Sequence, residues 1–444
     1  MKRHLFCLAA AALLCHQTPG LRAQTSAPPS AQNASKSARI GTITVSGNGT
    51  QKYQPEEIAA AGKIKPGDVV TAEQIQAAAD RLSALGIFST VNYRFTTKGD
   101  AIAIEFQVTQ APTYPLSFDN FPWFTDAEIA NAIRAEAGLF TGESPDGGAM
   151  VDQISSTLEN LLASRNIHGS VTHQLTSQAV GDGMMMQFRV DGPSLRIQSV
   201  KFGDPLVSES EKIKDRIPDI KGQPYSKLAV ELFESEQVRP LYVSKGFLRA
   251  QIGPPEAHVA NGSANSDASG VDVSIPIVPG PVYTWKGVSW QGNVQFPASN
   301  LDSALELKSG DVADGIKVES DWQSIEAGYG RRGFLDLKLN AVPQYDDVAH
   351  QVSYRVSIVE GPQYLMGGLI ITGLSVEAEK RLRRFWQIAP GQTFNNGYYL
   401  AVEKELMKPS VNIFGELAVH YEEFGRWVRP DPEKHTVDVL FDFK

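Results

Sequence analysis

The sequence predicts an α+β fold built from five tandem repeats in β-α-α-β-β order. Three features lead to it: proline-centred junctions at domain-sized intervals, amphipathic helices closed by glycine, and paired alternating strands around short turns. The junctions are "VTQAPTY" (Val108 to Tyr114), "VDGPSL" (Val190 to Leu195), "VPGPVY" (Val278 to Tyr283) and "VEGPQY" (Val359 to Tyr364). Their prolines, 112, 193, 281 and 362, stand about 81, 88 and 81 residues apart, a period that chance placement would rarely give. Proline cannot donate to a sheet ladder, so each junction ends one strand and lets another begin. Around Gly361-Pro362, "IVEG" closes a strand and "YLMGGLIITG" opens the next. The expected units are 39–111, 112–192, 193–280, 281–361 and 362–444, strung as an elongated chain of beads across short hinges.

In the first unit, "ARIGTITVSGNG" alternates and ends at Gly47-Asn48, a strand with a turn. "QPEEIAAAG" starts with Pro55 and two acids and closes on Gly62, the asymmetry of a short helix with its dipole complemented. In "TAEQIQAAADRLSALGIF", Thr71 can cap and Gln74 sits three residues on. Ile75, Ala78, Ala79, Leu82 and Leu85 then recur at helical spacing. "FSTVNYRF" and "AIAIEFQV" alternate across "TTKGD", a hairpin.

The later units carry the same punctuation. First strands end at Gly203, Gly292 and Gly373, and inter-helix loops hold Gly222, Gly310 and Gly391. Second helices close at Gly86, Gly246, Gly333 and Gly415, while the second unit has Asn166 there, the next-best residue for a left-handed backbone.

The chain has 444 residues, 20% charged and 42% hydrophobic, with net charge −9, which argues against broad nucleic-acid or anionic-membrane binding. Lys2, Arg3 and His4 precede the apolar run "LFCLAAAALLC" and a small-residue cleavage point near Ala23, so residues 1–23 read as a secretory signal. That run is shorter than the roughly 20 residues a membrane span needs. Residues 24–38, small, polar and proline-containing, suit a flexible linker. Both cysteines, Cys7 and Cys15, lie in the signal, so the mature chain would have neither disulfide nor thiol nucleophile. Leu14 before Cys15 disfavours lipidation, since such signals carry a small residue there.

Repeats of this length and order, with "VSGNG", "LYVSKGFLRAQI", "WQGN", "SGD" and "YGRRGFLDLKL", resemble POTRA (polypeptide-transport-associated) domains. Those domains form the periplasmic arm of barrel proteins that assemble or translocate polypeptides at the outer membrane. The resemblance implies a three-stranded mixed sheet covered by two helices in each unit. It also implies that the second strand is an edge able to accept an extended polypeptide. Unit two departs from the pattern, replacing the Gly-Asn turn with "YPLSFDNFPWFTDAEI". The family continues into a sixteen-stranded barrel, whereas this sequence ends at "HTVDVLFDFK", so no barrel is expected within it.

The candidate edges are Phe88 to Phe95, Ile167 to Leu175, Phe247 to Ile252, Phe334 to Leu339 and Glu416 to Tyr421. Candidate binding residues on them are Phe88, Val91, Tyr93, Phe247, Leu248, Ala250, Phe334, Leu335 and Leu337. Backbone pairing is nearly sequence-blind, and weak sites repeated along one chain raise effective concentration without trapping the guest.

Other motifs have simpler readings. The eight histidines lack metal-ligand spacing, and His168 and His173 fall on opposite faces of a strand. No nucleotide-binding or hydrolase motif is complete, so no catalytic residue, metal or cofactor is expected. "MMM" (Met184 to Met186) reads as core filling before it reads as a promiscuous contact. Lys380, Arg381, Arg383 and Arg384 beside Phe385 and Trp386 read as a solvated basic helix face before a headgroup or acidic-partner site. Residues 253–270 read as a lengthened hairpin loop. The expected function is a periplasmic binding or scaffold protein of outer-membrane protein assembly or translocation. Its partners would be unfolded outer-membrane proteins or a separate barrel or lipoprotein subunit, with peripheral attachment to the outer membrane through them and no nucleic acid. The alternative is an architectural spacer without clients.

Overall fold

The computed structural model describes residues 37–260, 268–408, 412–415, 417, 419 and 421–444. The signal, Cys15, residues 24–36 of the linker, part of the loop expected at 253–270 and Glu416 lie outside the described residues.

In chain order, β1 (Ala38–Ser46), α1 (Pro55–Ala61), β2 (Val69–Val70), α2 (Ala72–Ala84), β3 (Phe88–Lys98) and β4 (Ala101–Gln110) build the first sheet and its helices. Next come β5 (Tyr114–Phe118), α3 (Asp126–Glu136), β6 (Glu143–Ser144), α4 (Ala149–Ser164), β7 (Ser170–Ser177) and β8 (Met184–Asp191). The third group is β9 (Ser194–Phe202), α5 (Pro205–Glu209), α6 (Glu211–Lys214), α7 (Lys227–Phe233), α8 (Arg239–Val243), β10 (Gln251–Ile252), β11 (Glu256–Val259), β12 (Ala268–Ile275) and β13 (Ile277–Val278). The fourth is β14 (Thr284–Gln291), α9 (Ala298–Ala304), α10 (Gly315–Gly330), β15 (Lys338–Asp346) and β16 (Gln351–Val359). The fifth is β17 (Leu365–Thr372), α11 (Val376–Phe385), α12 (Asn396–Leu406), β18 (Phe424–Asp431) and β19 (Thr436–Phe443).

Five sheets share one topology. The last strand of each is central, parallel to the first strand and antiparallel to the strand before it: β1-β4-β3, β5-β8-β7, β9-β12-β11, β14-β16-β15 and β17-β19-β18. β2 and β6 widen the first two to four strands, and β10 pairs with β13 separately. Central strands bury alternate residues: Ile102, Ile104, Phe106 and Val108 on β4, and Val437, Val439, Phe441 and Phe443 on β19. Period-two burial with one face covered is what an antiparallel-edged sheet under helices requires. On α2 the buried residues are Ile75, Ala78, Ala79 and Leu82, and the helix starts at a reciprocal cap. The Gln74 N–H donates to Thr71 Oγ1 at 3.4 Å and the Thr71 N–H to Gln74 Oε1 at 2.8 Å.

The chain divides into two compact units, residues 1–237 with 253–276, and residues 238–252 with 277–444. In the first, a single hydrophobic cluster runs from Ile40 to Val190 through the first two sheets, closer packing than separate beads would give. In the second, one cluster lies around Tyr283, Trp285 and Ile358 and another around Tyr364, Phe441 and Phe443.

The atypical loop of the second sheet shortens its first strand to five residues. Beyond it, the Asn120 side chain continues the ladder. Its Nδ2 donates to Val190 O at 2.9 Å and its Oδ1 accepts from Val190 N at 2.7 Å, so a side-chain amide does what a strand backbone does elsewhere. Met185 and Met186 are buried and Met184 is exposed, so core filling accounts for two of the three methionines.

Three expected edge strands are displaced. Phe247, Leu248 and Ala250 form a turn, and the edge of the third sheet is β11, inside the stretch read as a loop. Phe334, Leu335 and Leu337 precede β15, which begins at Lys338. The fifth edge is β18, beginning at Phe424, and residues 416, 418 and 420 of the strand expected there lie outside the described residues. The second edge, β7, starts three residues later than expected. In the third and fourth sheets the helix-closing glycine is followed by a turn that swallows the first apolar residues, so their hydrophobicity serves packing and not a strand.

Candidate functional site

Those displaced residues have a common role. Phe334 is buried in the cluster around Tyr283 and Ile358, while its neighbour Leu335 packs on the cluster around Tyr364 and Phe443. Leu248 likewise packs on the cluster around Tyr283. After α10 one residue fills its own core and the next fills the following one, so that turn is a joint, and the turn after α8 sends Leu248 forward in the same way. The Tyr364 N–H donates to Gly333 O at 2.8 Å, and the Tyr283 N–H donates to Gly246 O at 2.9 Å. Side chains reinforce both joints. Tyr364 donates its hydroxyl to Asp336 Oδ2 at 2.7 Å. Tyr283 donates to Asp347 Oδ1 at 2.6 Å, where Arg249 also bonds both carboxylate oxygens, at 2.9 and 3.0 Å. The Tyr283 hydroxyl, then the Arg249 guanidinium, hold the Asp347 carboxyl below its ordinary range.

Of the punctuating residues, Gly47, Gly86, Asn166, Gly246, Gly292, Gly333, Gly373 and Gly415 take positive φ. Gly203 follows β9 directly, its N–H donating to Ile275 O. A further set escaped the reading: Gly148, Gly315 and Gly397, each at the start of a second helix. A Cβ on Gly315 would stand 2.5 Å from Val243 Cγ1 and 3.0 Å from Leu248 Cδ2, so the helix start presses on the preceding joint. The signal was present in "DGGAM", "ADGIKV" and "NNGYY".

The joint between the second and third sheets is ionic. Asp119, fully buried, pairs with Arg189. Its Oδ1 also accepts from Ser226 Oγ at 2.8 Å and from Leu228 N at 2.9 Å, which ties the second sheet to the start of α7. Lys227 reaches Asp126 at 2.6 Å.

The open strand edges are the surfaces that can take a guest. Among the described residues, β3, β7, β11, β15 and β18 each pair on one side only. They are not equivalent. β15 contains Pro343 and β18 contains Pro430, and proline on an edge strand removes an outward donor and blunts the edge. On β7 the Val171 N–H is held by Glu159 Oε1 at 3.0 Å. β3, eleven residues long, and β11 have no proline. On β3, Phe88 and Val91 are buried, and Tyr93 is half-buried with its hydroxyl donating to Gln76 at 2.9 Å, so these side chains anchor the strand while its backbone edge stays open.

Half of the basic helix face is engaged internally. Arg381 bonds Phe414 O, Arg383 bonds Glu379 and Leu369 O, and Lys380 and Arg384 are exposed. Among the described residues no group of His, Cys, Asp or Glu is placed to hold a metal ion, and no helix is long and apolar enough to cross a membrane.

Residues 38–111 and 283–361 match the POTRA family model, described as "Surface antigen variable number repeat". Those two stretches are POTRA domains. The matched stretches hold the first and fourth sheets, so one POTRA edge, β3, is open and another, β15, is blunted. A Treponema pallidum (strain Nichols) protein described as an outer membrane protein assembly factor is 23% identical over 207 residues, covering 46% of this chain and 23% of that protein. The match therefore spans about a quarter of that relative's length. A crystal structure of Haemophilus influenzae BamA POTRA3-5 is 20% identical, covering 56% of this chain and 96% of that one, with a TM-score of 0.42. BamA from Haemophilus ducreyi lacking POTRA domains 1-3 is 18% identical, covering 36% and 29%, with a TM-score of 0.32.

Proposed function

We propose that this chain is a non-enzymatic binding arm of outer-membrane protein assembly or translocation, working in the periplasm after removal of its signal. It comprises five POTRA repeats, of which the open edges take extended segments of unfolded outer-membrane proteins or of a partner barrel or lipoprotein subunit by strand addition. The observation that carries this reading is β3, a long, proline-free edge on a POTRA sheet with no second neighbour among the described residues. The relative described as an outer membrane protein assembly factor supports the cellular role. A few net hydrogen bonds at about 1 kcal/mol each, less the ordering of the guest, make each site weak, and weakness lets a client move on.

Hydrogen exchange tests it. Addition of an unfolded outer-membrane protein is expected to slow exchange of the outward amides of β3 and leave those of β15 unchanged. Protection confined to chain ends or joints, with β3 exchanging as before, would overturn strand addition. That result is what the second reading, an architectural spacer, requires; the pinned joints and the prolines on β15 and β18 favour it.

A further inference from the structure

The third sheet's edge, β11, is only four residues long, too short to hold a guest by backbone pairing alone. A cavity of about 410 Å³ lies against it. The atypical loop of the second sheet supplies Phe121 and Phe124, the approach to α7 supplies Tyr225, and Pro254 and Pro255 lead into β11, whose Glu256, Ala257 and His258 form one wall. Cavities of this size, apolar with a few polar groups, are where side chains or small ligands lodge.

The direction of the β11 backbone follows from one bond. The Ala260 N–H donates to Gly270 O, toward β12. Alternate residues of an antiparallel strand point their N–H groups the same way, so those of Ala257 and Val259 face outward. A guest strand would run about 4.8 Å away, within one side-chain length of the cavity.

The surroundings are acidic. Asp119 and Asp126 are each engaged by one cation, Arg189 and Lys227. Burial pushes the Tyr225 hydroxyl far up, and the charges that add to this are all carboxylates: Asp119, Asp126, Glu231 and Glu234. Burial, foremost, also raises the Glu231 carboxyl, with Asp119 and Asp126 adding to it against Lys227. Glu256 adds an exposed acid at the rim.

We infer that this cavity is a side-chain pocket that gives β11 sequence preference: it takes an extended polypeptide placing an aromatic side chain between Phe121, Phe124 and Tyr225, with a lysine or arginine beside it facing Glu256. The inference rests on the strand-addition reading and specifies one guest for one edge.

The test uses the mature chain and three fluorescently labelled eight-residue peptides of alternating Val and Thr. Their centres are Phe-Lys, Phe-Glu and Gly-Lys, adjacent residues because Ala257 and Glu256 lie on opposite faces of β11. Anisotropy should show the first binding at least about tenfold tighter than the other two, about 1.4 kcal/mol. Glu256→Lys should erase the preference for Lys over Glu, and Ala257→Trp, which fills the cavity, the preference for Phe over Gly. Far-UV circular dichroism and exchange at β12 check that each variant folds; if Ala257→Trp does not, the exposed Glu256→Lys decides alone. Equal binding of all three peptides, or preferences that survive Glu256→Lys, overturns the pocket. If the peptides then still protect β3 amides, strand addition stands without it. If no peptide binds and no edge is protected, both fail.

Discussion

Asp119→Ala should destabilise the first compact unit by about 2–3 kcal/mol, the usual loss when a buried charged acceptor of several hydrogen bonds is removed. The loss is compound: Arg189 keeps its charge without a partner, and Ser226 and Leu228 lose their acceptor. Asp119→Asn keeps an oxygen for Ser226 and Leu228 but not the charge, so it should fall between wild type and alanine. Hydrogen exchange at β8 and α7 amides reads the effect locally, which matters because a chain of two compact units need not unfold in one step. Equal protection in wild type and Asp119→Ala would mean that the buried carboxylate does not hold this joint.

Gly333→Ala should cost the second unit about 2–4 kcal/mol, and Gly391→Ala about 1–2 kcal/mol, although both glycines have nearly the same backbone. Their φ values are 82° and 80°, so each alanine suffers the left-handed penalty. Only at Gly333 does a new Cβ meet backbone, 2.6 Å from Tyr364 O, and at Gly391 nothing lies within 4 Å. The difference between the two, followed by denaturant unfolding of the full chain, isolates the joint from the conformational strain. Equal losses would show that Gly333 matters for its φ alone and that the joint can yield.

The repeat, strand-helix order and punctuation were legible because each rests on local chemistry. Prolines 112, 193, 281 and 362 each stand between two strands, Thr71 caps with Gln74, and Asn166 stands in for glycine at positive φ. The edges were less legible. Phe247-Leu248 and Phe334-Leu335 read as strand because apolar residues after a helix-closing glycine suit a strand, and nothing local says that the second of each pair packs into the next core. β11 was hidden behind Pro254-Pro255, and nothing local marks Asp119, whose partners Arg189, Ser226 and Leu228 only the fold brings to it. Pro343 and Pro430 were visible in the sequence, but their meaning depends on lying in edge strands, which only the pairing reveals.

That dependence supplies the most direct test of strand addition. In β15 the Asn340 carbonyl points toward β16, where it accepts from the hydroxyl of its cross-strand partner Ser357, so by alternation the Pro343 nitrogen faces outward. Pro343→Val restores the missing donor without touching the β16 ladder. Photoreactive residues at Thr96 on β3 and at Gln344 on β15 would be crosslinked to an unfolded outer-membrane protein, with and without the substitution. The account predicts crosslinks from β3 in both proteins, and from β15 only after Pro343→Val. Crosslinks from β15 already in the parent, or none from β3 in either protein, would contradict it.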